Sequence, residues 1–533
     1  DLHSFPTRRS SDLFVSDGGW YWFDVAADSE DAVVEAARWE ARVPAETPRG
    51  RATIGITTFN RPTDCATVLG QLGASDTLPE VLNEVVVVDQ GNKKVVDDDR
   101  FPAARKSLGK SLRMIDQPNL GGSGGFSRGM YEAMEGGADY VLLLDDDVRV
   151  DPEGIVRAVA FADLSRVPTI VGGHMFSMYE RTSLHAYAEQ VQPWRFWWRA
   201  VKGTRPDHDL AIAPLRTTAW LHQRADADYN GWWMCLIPTS VIRRIGLSLP
   251  FFIKWDDSEY GLRARGAGVP TVSLPGAAVW HVPWTDKDDS LDWQAYFHER
   301  NRLVAALIHS QYKHGGRVVT ESMQGQIKHL LSSQYSVVEL RLRAIEDILT
   351  GPGHLQAGIS TVVPRVRALR SEFDDAVVET DPDAFPEVRR EKLPRRGEYL
   401  GYPKTIVGRI AMAAKGSVKQ VLPVKAMSLE HPEARVPWSQ ARWWMLSQFD
   451  SAIVSNSDGS GASWYHRDTG RFRQLLARSV VLHRRLRREW EELHAEYQAS
   501  VGEVVSPEAW ARTFGIAGGE ASGAEVAATE ESR

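Results

Sequence analysis

The chain has 533 residues, too many for one hydrophobic core and enough for roughly two to four domains. Its 43% hydrophobic and 25% charged content are those of a globular protein, and a net charge of −7 excludes the global basic field of a nucleic-acid binder. Two cysteines, Cys65 and Cys235, exclude a disulfide-rich scaffold and suit a reducing compartment, and no apolar run approaches the ~20 residues that span a bilayer.

Residues 1–13, DLHSFPTRRSSDL, show no clean periodicity and read as a non-native leader, without the pattern of a signal peptide. Phe14 to Val25 reads as a turn followed by an aromatic strand, residues 29–42 as a helix, and Pro44, Pro48 and Gly50 as a linker. From Ala52 the pattern alternates. ATIGITTF is a β-branched strand ending at Asn60-Arg61-Pro62-Thr63, followed by a helix over Asp64–Gly73 capped by Thr63 or Asp64. EVVVVD, Glu84 to Asp89, is a second strand ending in Gln90-Gly91-Asn92, and Leu112 to Asp116 is a third. Asn119 then opens a glycine-rich loop leading into a helix near Phe126 to Met134. YVLLLDDDV, Tyr140 to Val148, is a fourth strand that runs into Asp145, Asp146 and Asp147. Strands separated by helices predict an α/β fold with a mostly parallel sheet covered on both faces. Ligands of such sheets bind at the carboxyl ends of the strands, where these polar residues converge.

Adjacent carboxylates repel one another unless a cation or hydrogen-bond donors compensate, so the aspartates read either as a divalent-metal anchor or as a solvated turn. The glycine-rich stretch from Gly121 and Gly122 lacks the ending of a P-loop and matches only the start of a dinucleotide fingerprint. Its glycines fit a close ligand approach or a plain turn equally well. Ten of the 19 tryptophans lie between Trp194 and Trp293, so aromatic packing or sugar stacking concentrates there. Trp232-Trp233, just after the Asn230-Gly231 turn, is the better candidate for stacking. In FFIKWDDSEYGLRA an apolar run stops at Asp256-Asp257, which opens a helix. Carboxylates there either complement the helix dipole or, buried against Trp255 with a like-charged neighbour, acquire the raised pKa of a general base. GAAVWHVPW carries His281 at a strand-like end, a possible extra metal ligand beside an aspartate cluster.

Leu291 to Ser310 predicts a helix, and apolar residues from Ile327 to Leu349 keep helical spacing until Gly351-Pro352-Gly353. A basic stretch between Lys392 and Lys425 includes Arg395, Arg396, Lys404, Arg409, Lys415 and Lys419. It reads as a solvated face or as a patch meeting an anionic membrane. Arg471 to Tyr497 is another charged helix, and residues 516–533 read as a disordered tail.

The ordered set Thr-Phe-Asn-Arg-Pro, Val-Asp-Gln-Gly-Asn, Asn-Leu-Gly-Gly-Ser-Gly-Gly-Phe, Leu-Asp-Asp-Asp, Asn-Gly-Trp-Trp, Trp-Asp-Asp-Ser-Glu-Tyr and Trp-His resembles a family 2 glycosyltransferase of GT-A fold. Within that family it is similar to the polymerising galactofuranosyltransferases of actinobacterial cell-wall galactan synthesis. The resemblance implies a remnant of an N-terminal β-rich domain at 14–50, a GT-A catalytic domain at 51–315 and a C-terminal helical domain at 316–515. It implies donor-nucleotide contacts by Arg61, Gln90, Asn119, Gly121, Gly122, Asp145 and Asp146. Asp145, Asp147 and His281 would hold Mn²⁺ or Mg²⁺. Trp232, Trp233, Lys254 and His298 would meet the acceptor, and Asp257, beside Asp256, would be the catalytic base. The implied reaction is inverting transfer of galactofuranose from UDP-galactofuranose to a lipid-linked galactan. The implied setting is the cytoplasmic face of the plasma membrane, with the protein peripheral and a homo-oligomer, a tetramer among the options. A rhamnosyl- or glucosyltransferase on the same scaffold and a non-catalytic carbohydrate-binding protein are the alternatives.

Overall fold

The computed structural model describes residues 42–283, 289–390 and 403–516, with short pieces at 20, 24–26, 33–35 and 40. The expected leader, nearly all of the aromatic strand, most of the helix expected at 29–42, Arg395, Arg396 and the tail beyond 516 lie outside the described residues.

Four parallel strands form the heart of the sheet: β1 (Ala52–Thr58), β2 (Leu82–Asp89), β3 (Leu112–Asp116) and β4 (Tyr140–Asp145). Their order is β4-β1-β2-β3, with Ile54 opposite both Val85 and Leu142. β1 and β4 are buried almost throughout because helices cover both faces. The helices α1 (Pro62–Gly73) and α2 (Phe101–Leu108) pack on one face, and α3 (Gly121–Glu135) lies on the other. α1 begins at Pro62, whose fixed φ and missing N–H suit a first helical position, and Arg61 precedes it without a side-chain cap. The expected capping by Thr63 or Asp64 is therefore not what the chain does.

The glycine-rich stretch is not a loop either. Gly121 to Gly125 already form the first turns of α3, because that helix lies directly on the sheet. A Cβ on Gly125 would collide with Thr57, and one on Gly55 would sit 3.3 Å from the Gly129 Cα. Close packing overrides the poor helix propensity of glycine, about 1 kcal/mol per residue.

Beyond β4 come β5 (Arg149–Val150), α4 (Pro152–Leu164), β6 (Ile170–Ser177), β7 (Ser183–Ala186), β8 (Glu189–Gln192), β9 (Trp197–Ala200), β10 (His208–Asp209) and β11 (Asp226–Ala227). β12 (Met234–Pro238), α5 (Thr239–Ile245), α6 (Asp256–Gly266), β13 (Thr271–His281) and α7 (Ala295–His309) complete this half. β12 runs antiparallel to β4 and β6, and β13 runs parallel to β6, so the sheet is mixed around its parallel centre. One pairing decides the site. The end of β13 pairs with β5, Val279 opposite Val150 and Trp280 opposite Arg149, which carries His281 to the turn after β4.

The remaining chain is largely helical. The single apolar rhythm over 326–350 is two helices, α8 (Val318–Leu331) and α9 (Tyr335–Ile348). They part where the Ser332 hydroxyl donates back to the Lys328 carbonyl and Ser333 turns left-handed at φ 56°. After α10 (His354–Gly358) and α11 (Val362–Arg370) come α12 (Ile406–Val421), α13 (Ala426–Glu430), the short strand β14 (Arg435–Val436) and α14 (Trp443–Leu446). β14 joins β15 (Ser451–Ser455) and β16 (Ala462–His466) in a small sheet. The charged helix expected over 471–497 is also two, α15 (Thr469–Arg488) and α16 (Trp490–Val504), bent so that Trp490 enters the core. α17 (Pro507–Phe514) ends the described chain, and its Trp510 indole donates to the Ser248 carbonyl at 2.9 Å.

Candidate active site

At the carboxyl end of β4, Asp145 closes the strand and Asp146-Asp147 make a turn. That turn, rather than continued extension, puts Asp145 and Asp147 on one side. His281 Nε2 lies 3.1 Å from Asp147 Oδ1 and 3.9 Å from Asp145 Oδ2. One ligand atom from each of the three residues falls within 4.8 Å of the others, a spacing that suits a shared cation. His281 Nδ1 is 2.6 Å from the Val282 carbonyl, which can only accept, so this nitrogen donates and Nε2 faces the carboxylates. Two carboxylates and an oriented imidazole are a donor set that fits Mn²⁺ or Mg²⁺. Asp146 points the other way and is buried. Burial pushes its carboxyl up to about 7 against the pull of Thr58 and Arg61.

Arg61 donates to the second oxygen of Asp147 and stays half-exposed, at the mouth of the triad. Gln90 is buried and fully engaged: its Nε2 donates to the Gly121 carbonyl at 2.9 Å, and its Oε1 accepts from Leu120 N at 2.8 Å. Asn119 Oδ1 accepts from Gly121 N at 3.0 Å. Both side chains therefore shape the approach to α3. Gly121, at φ 71°, touches the Phe252 carbonyl where a Cβ would have to be, and Gly122 faces Asp256.

Asp256 and Asp257 open α6. Burial, with Asp257 as the next cause, raises the Asp256 carboxyl to about 7. Asp257 rises to about 6, through burial first and with repulsion from Asp145, while the Ser258 N–H and Lys254 hold it down. Lys254 also pairs with Asp289. His298, one side of α7, is pushed down to about 3 by burial and by Lys254, so it faces the site as a neutral imidazole.

The two tryptophans diverge. Trp232 meets Phe126 and Tyr260 edge-on, at 5.4 Å and 5.9 Å, on one face of the sheet. Trp233 enters the core on the other face and donates to the Gly173 carbonyl at 2.8 Å. With 5% and 6% of their surfaces exposed, packing accounts for most of both side chains.

The fold adds residues that the sequence reading did not single out. Glu189 on β8 is buried, and burial followed by Asp257 raises its carboxyl to about 8, where the Tyr229 hydroxyl contacts it. Trp198 on β9 packs against Trp255 at 4.9 Å and against His298 at 5.9 Å. No local pattern marks EQVQ as part of a site, and the Trp197-Trp198 pair of WWRA shows only within the tryptophan-rich stretch; the β8-β9 hairpin brings both there. The segment thus gathers a cation-sized triad, a buried pair of carboxylates with raised pKa values, a lysine and an aromatic wall.

Comparison with known proteins identifies the family. Residues 48–306 match the family described as "Glycosyltransferase like family 2", and residues 318–516 match "Galactofuranosyltransferase-2, domain 3". The galactofuranosyltransferase GlfT2 of Mycobacterium tuberculosis strain H37Rv is 39% identical over 505 residues, spanning 93% of this chain and 78% of the relative. GlfT2 of Mycolicibacterium smegmatis is 39% identical over 503 residues, spanning 93% of this chain and 76% of the relative. The M. tuberculosis galactofuranosyltransferase GlfT1 is 37% identical over 264 residues, 48% of this chain and 74% of the relative. The chain belongs to the GlfT2-type galactofuranosyltransferases, glycosyltransferases of family 2 with a GT-A fold.

Proposed function

We propose that the chain transfers galactofuranose from UDP-galactofuranose to a growing lipid-linked galactan, with inversion at the anomeric carbon and Asp257 as general base. The observation that carries this reading is the pairing of the Asp145–Asp147–His281 triad with a buried, raised-pKa Asp257 close enough for Asp145 to act on it. Asp145, Asp147 and His281 would hold a divalent ion, which would supply neutralising charge for a departing diphosphate. Arg61, Asn119 and the amino end of α3 at Gly121 and Gly122 line the donor side, with Gln90 and Asp146 supporting them from within. Asp257 takes the proton of an acceptor hydroxyl that attacks from the opposite face, because a carboxylate raised toward neutrality is a stronger base yet remains ionised at working pH. Lys254, His298 and Trp232 bound the acceptor side, Trp233 supports the sheet from its other face, and Asp256 holds a second charge beside the base. The catalytic part spans 51–315 and the helical part 316–515 in this reading.

α12 supports the proposed setting. Ile406, Val407, Ile410 and Val418 are 73%, 76%, 64% and 58% exposed and share one stripe of that helix, while Gly416 and Gln420 are its buried contacts. Lys404, Arg409 and Lys415 flank the stripe. An apolar stripe bordered by cations fits a peripheral seat on the anionic inner face of the plasma membrane, close to a lipid-linked acceptor. Among the described residues no helix is long and apolar enough to cross a membrane. A homo-oligomer, tetrameric in the fullest form, would multiply that attachment.

The test is UDP release and product mass with UDP-galactofuranose and a galactofuranose acceptor, with and without chelator. Transfer should need the metal. Asp257→Ala should lower turnover by roughly 10²- to 10⁴-fold while UDP still binds. Full turnover by that variant, or consumption of other nucleotide sugars in its place, would sink the assignment.

A further inference from the structure

Among the described residues, the segment leading to the proposed base gathers three bulky residues in left-handed conformation. Phe252, Lys254 and Trp255 have φ values of 69°, 68° and 72°, left-handed conformations that bulky side chains rarely adopt. Each such residue costs about 1–3 kcal/mol and persists only where its surroundings over-determine it. One side chain supplies much of that determination. Asn301 on α7, fully buried, donates from Nδ2 to the carbonyls of Phe251, Ile253 and Lys254 at 3.1, 2.8 and 2.8 Å. Its orientation is fixed, because Arg300 Nε lies 2.8 Å from Asn301 Oδ1 and a guanidinium can only donate. Arg300 also reaches the Phe251 carbonyl at 2.7 Å. From the other side the Ser123 hydroxyl accepts from Phe252 N at 2.8 Å, and Ser123 N donates to the Phe252 carbonyl at 3.2 Å. The amide of Asn301 is suited to this place. It offers two hydrogens without a net charge, whereas a carboxylate there would face three carbonyl oxygens.

We propose that Asn301 is a positioning residue of the transfer reaction: by holding residues 251–254, of which Phe252 and Lys254 are left-handed, it fixes Lys254 and Asp257 against the Asp145–Asp147–His281 triad. The inference rests on Asp257 as the base. The metal triad and Arg61 stand on other elements, at the ends of β1, β4 and β13, and Asn301 does not bond the Phe252 carbonyl that abuts the donor-side Gly121. Loss of Asn301 should therefore lower kcat and spare donor binding.

The experiment measures kcat, donor KM and the Kd of UDP with Mn²⁺ for Asn301→Ala, Asn301→Ser and Asn301→Asp in the full chain. A misplacement of about 1 Å costs on the order of 10²-fold, so Asn301→Ala should lose at least ~tenfold in kcat with KM and Kd within about twofold. Asn301→Ser, which retains one donor, should fall between wild type and Asn301→Ala, and Asn301→Asp should be no better than Asn301→Ala. Ser123→Ala, which releases the same segment from the α3 side, should repeat the signature where Asn301→Ala fails to fold. Wild-type kcat in folded Asn301→Ala, or parallel loss of kcat and UDP binding in both Asn301→Ser and Ser123→Ala, would overturn the inference. Asp257→Ala in the same assay separates the two readings: if it turns over normally the base assignment fails, and if it is inactive while Asn301→Ala is not, only the positioning role fails.

Discussion

Asp256 and Asp257 occupy a place where folding and catalysis pull in opposite directions. Burial raises both carboxyls above the usual carboxylate range, to about 7 and about 6, so the folded chain holds protons that the unfolded chain has already released. Their contribution to stability is complete below about pH 4 and is lost as pH rises through the folded values. Under the proposed mechanism activity runs the other way, because Asp257 as base works only when ionised. The rate should therefore climb between about pH 5 and 7 while the Tm of the metal-free protein declines over the same span. Asp256→Asn removes one of the two charges and keeps an acceptor for the α6 amides. It should raise Tm at pH 8 more than at pH 5, read by thermal unfolding at both values. An equal change at the two pH values would show that the Asp256 charge is not a source of strain.

The same residues show what can be read from a linear sequence. Asp145, Asp147, His281 and Asp257 are legible because each ends an apolar run or opens a helix, so composition alone places it at a strand or helix boundary. Glu189 and Asn301 are not. Each is an ordinary polar residue inside a regular element, and its role arises from which distant segment the fold lays beside it.

At the scale of elements, the order of strands and the convergence of their polar ends follow from β-branched runs that stop at aspartate, asparagine and glutamine. Where packing overrules local preference, the reading goes astray. Gly121 to Gly125 look like a loop, yet they are helical because only glycine lets α3 touch Gly55 and Thr57. The apolar rhythm of α8 and α9 continues across Ser332–Gln334, so the break there leaves no mark in the periodicity. α12 carries the exposed apolar stripe on which the proposed membrane seat rests. Replacing Ile406, Val407 and Ile410 together by serine should lower binding to phosphatidylglycerol-containing vesicles by at least ~tenfold. Each exposed aliphatic side chain would bury area at about 25 cal/mol per Å². Transfer to a short soluble acceptor should be unchanged. Vesicle binding equal to wild type in a sedimentation assay would remove α12 from the membrane-facing surface.

At the scale of the molecule, the helical part is the back wall of the site rather than an appendage. One core cluster takes Leu249, Phe251 and Trp255 from the α/β part, Leu303 to Ile308 from α7, and Trp490 and Tyr497 from α16. Leu247 N donates to the Val505 carbonyl at 2.8 Å, and the Trp510 indole is bonded to the Ser248 carbonyl, so the ends of α16 and α17 are stitched to the strand-side segment before α6. α7 is buried on nearly every side, which leaves it no stable surface once α9 and α16 are removed. The two parts should therefore unfold together, in one calorimetric transition, although their length would permit two. Trp490, 1% exposed and packed on Gly315, tests this from a position far from the aspartates. Trp490→Ala should cost about 3–5 kcal/mol through the cavity it leaves. Its effect should appear as one lowered transition in which helical signal and UDP binding are lost at the same temperature. A separate early transition that leaves UDP binding intact would show instead that the helical part melts alone and that the site does not lean on it.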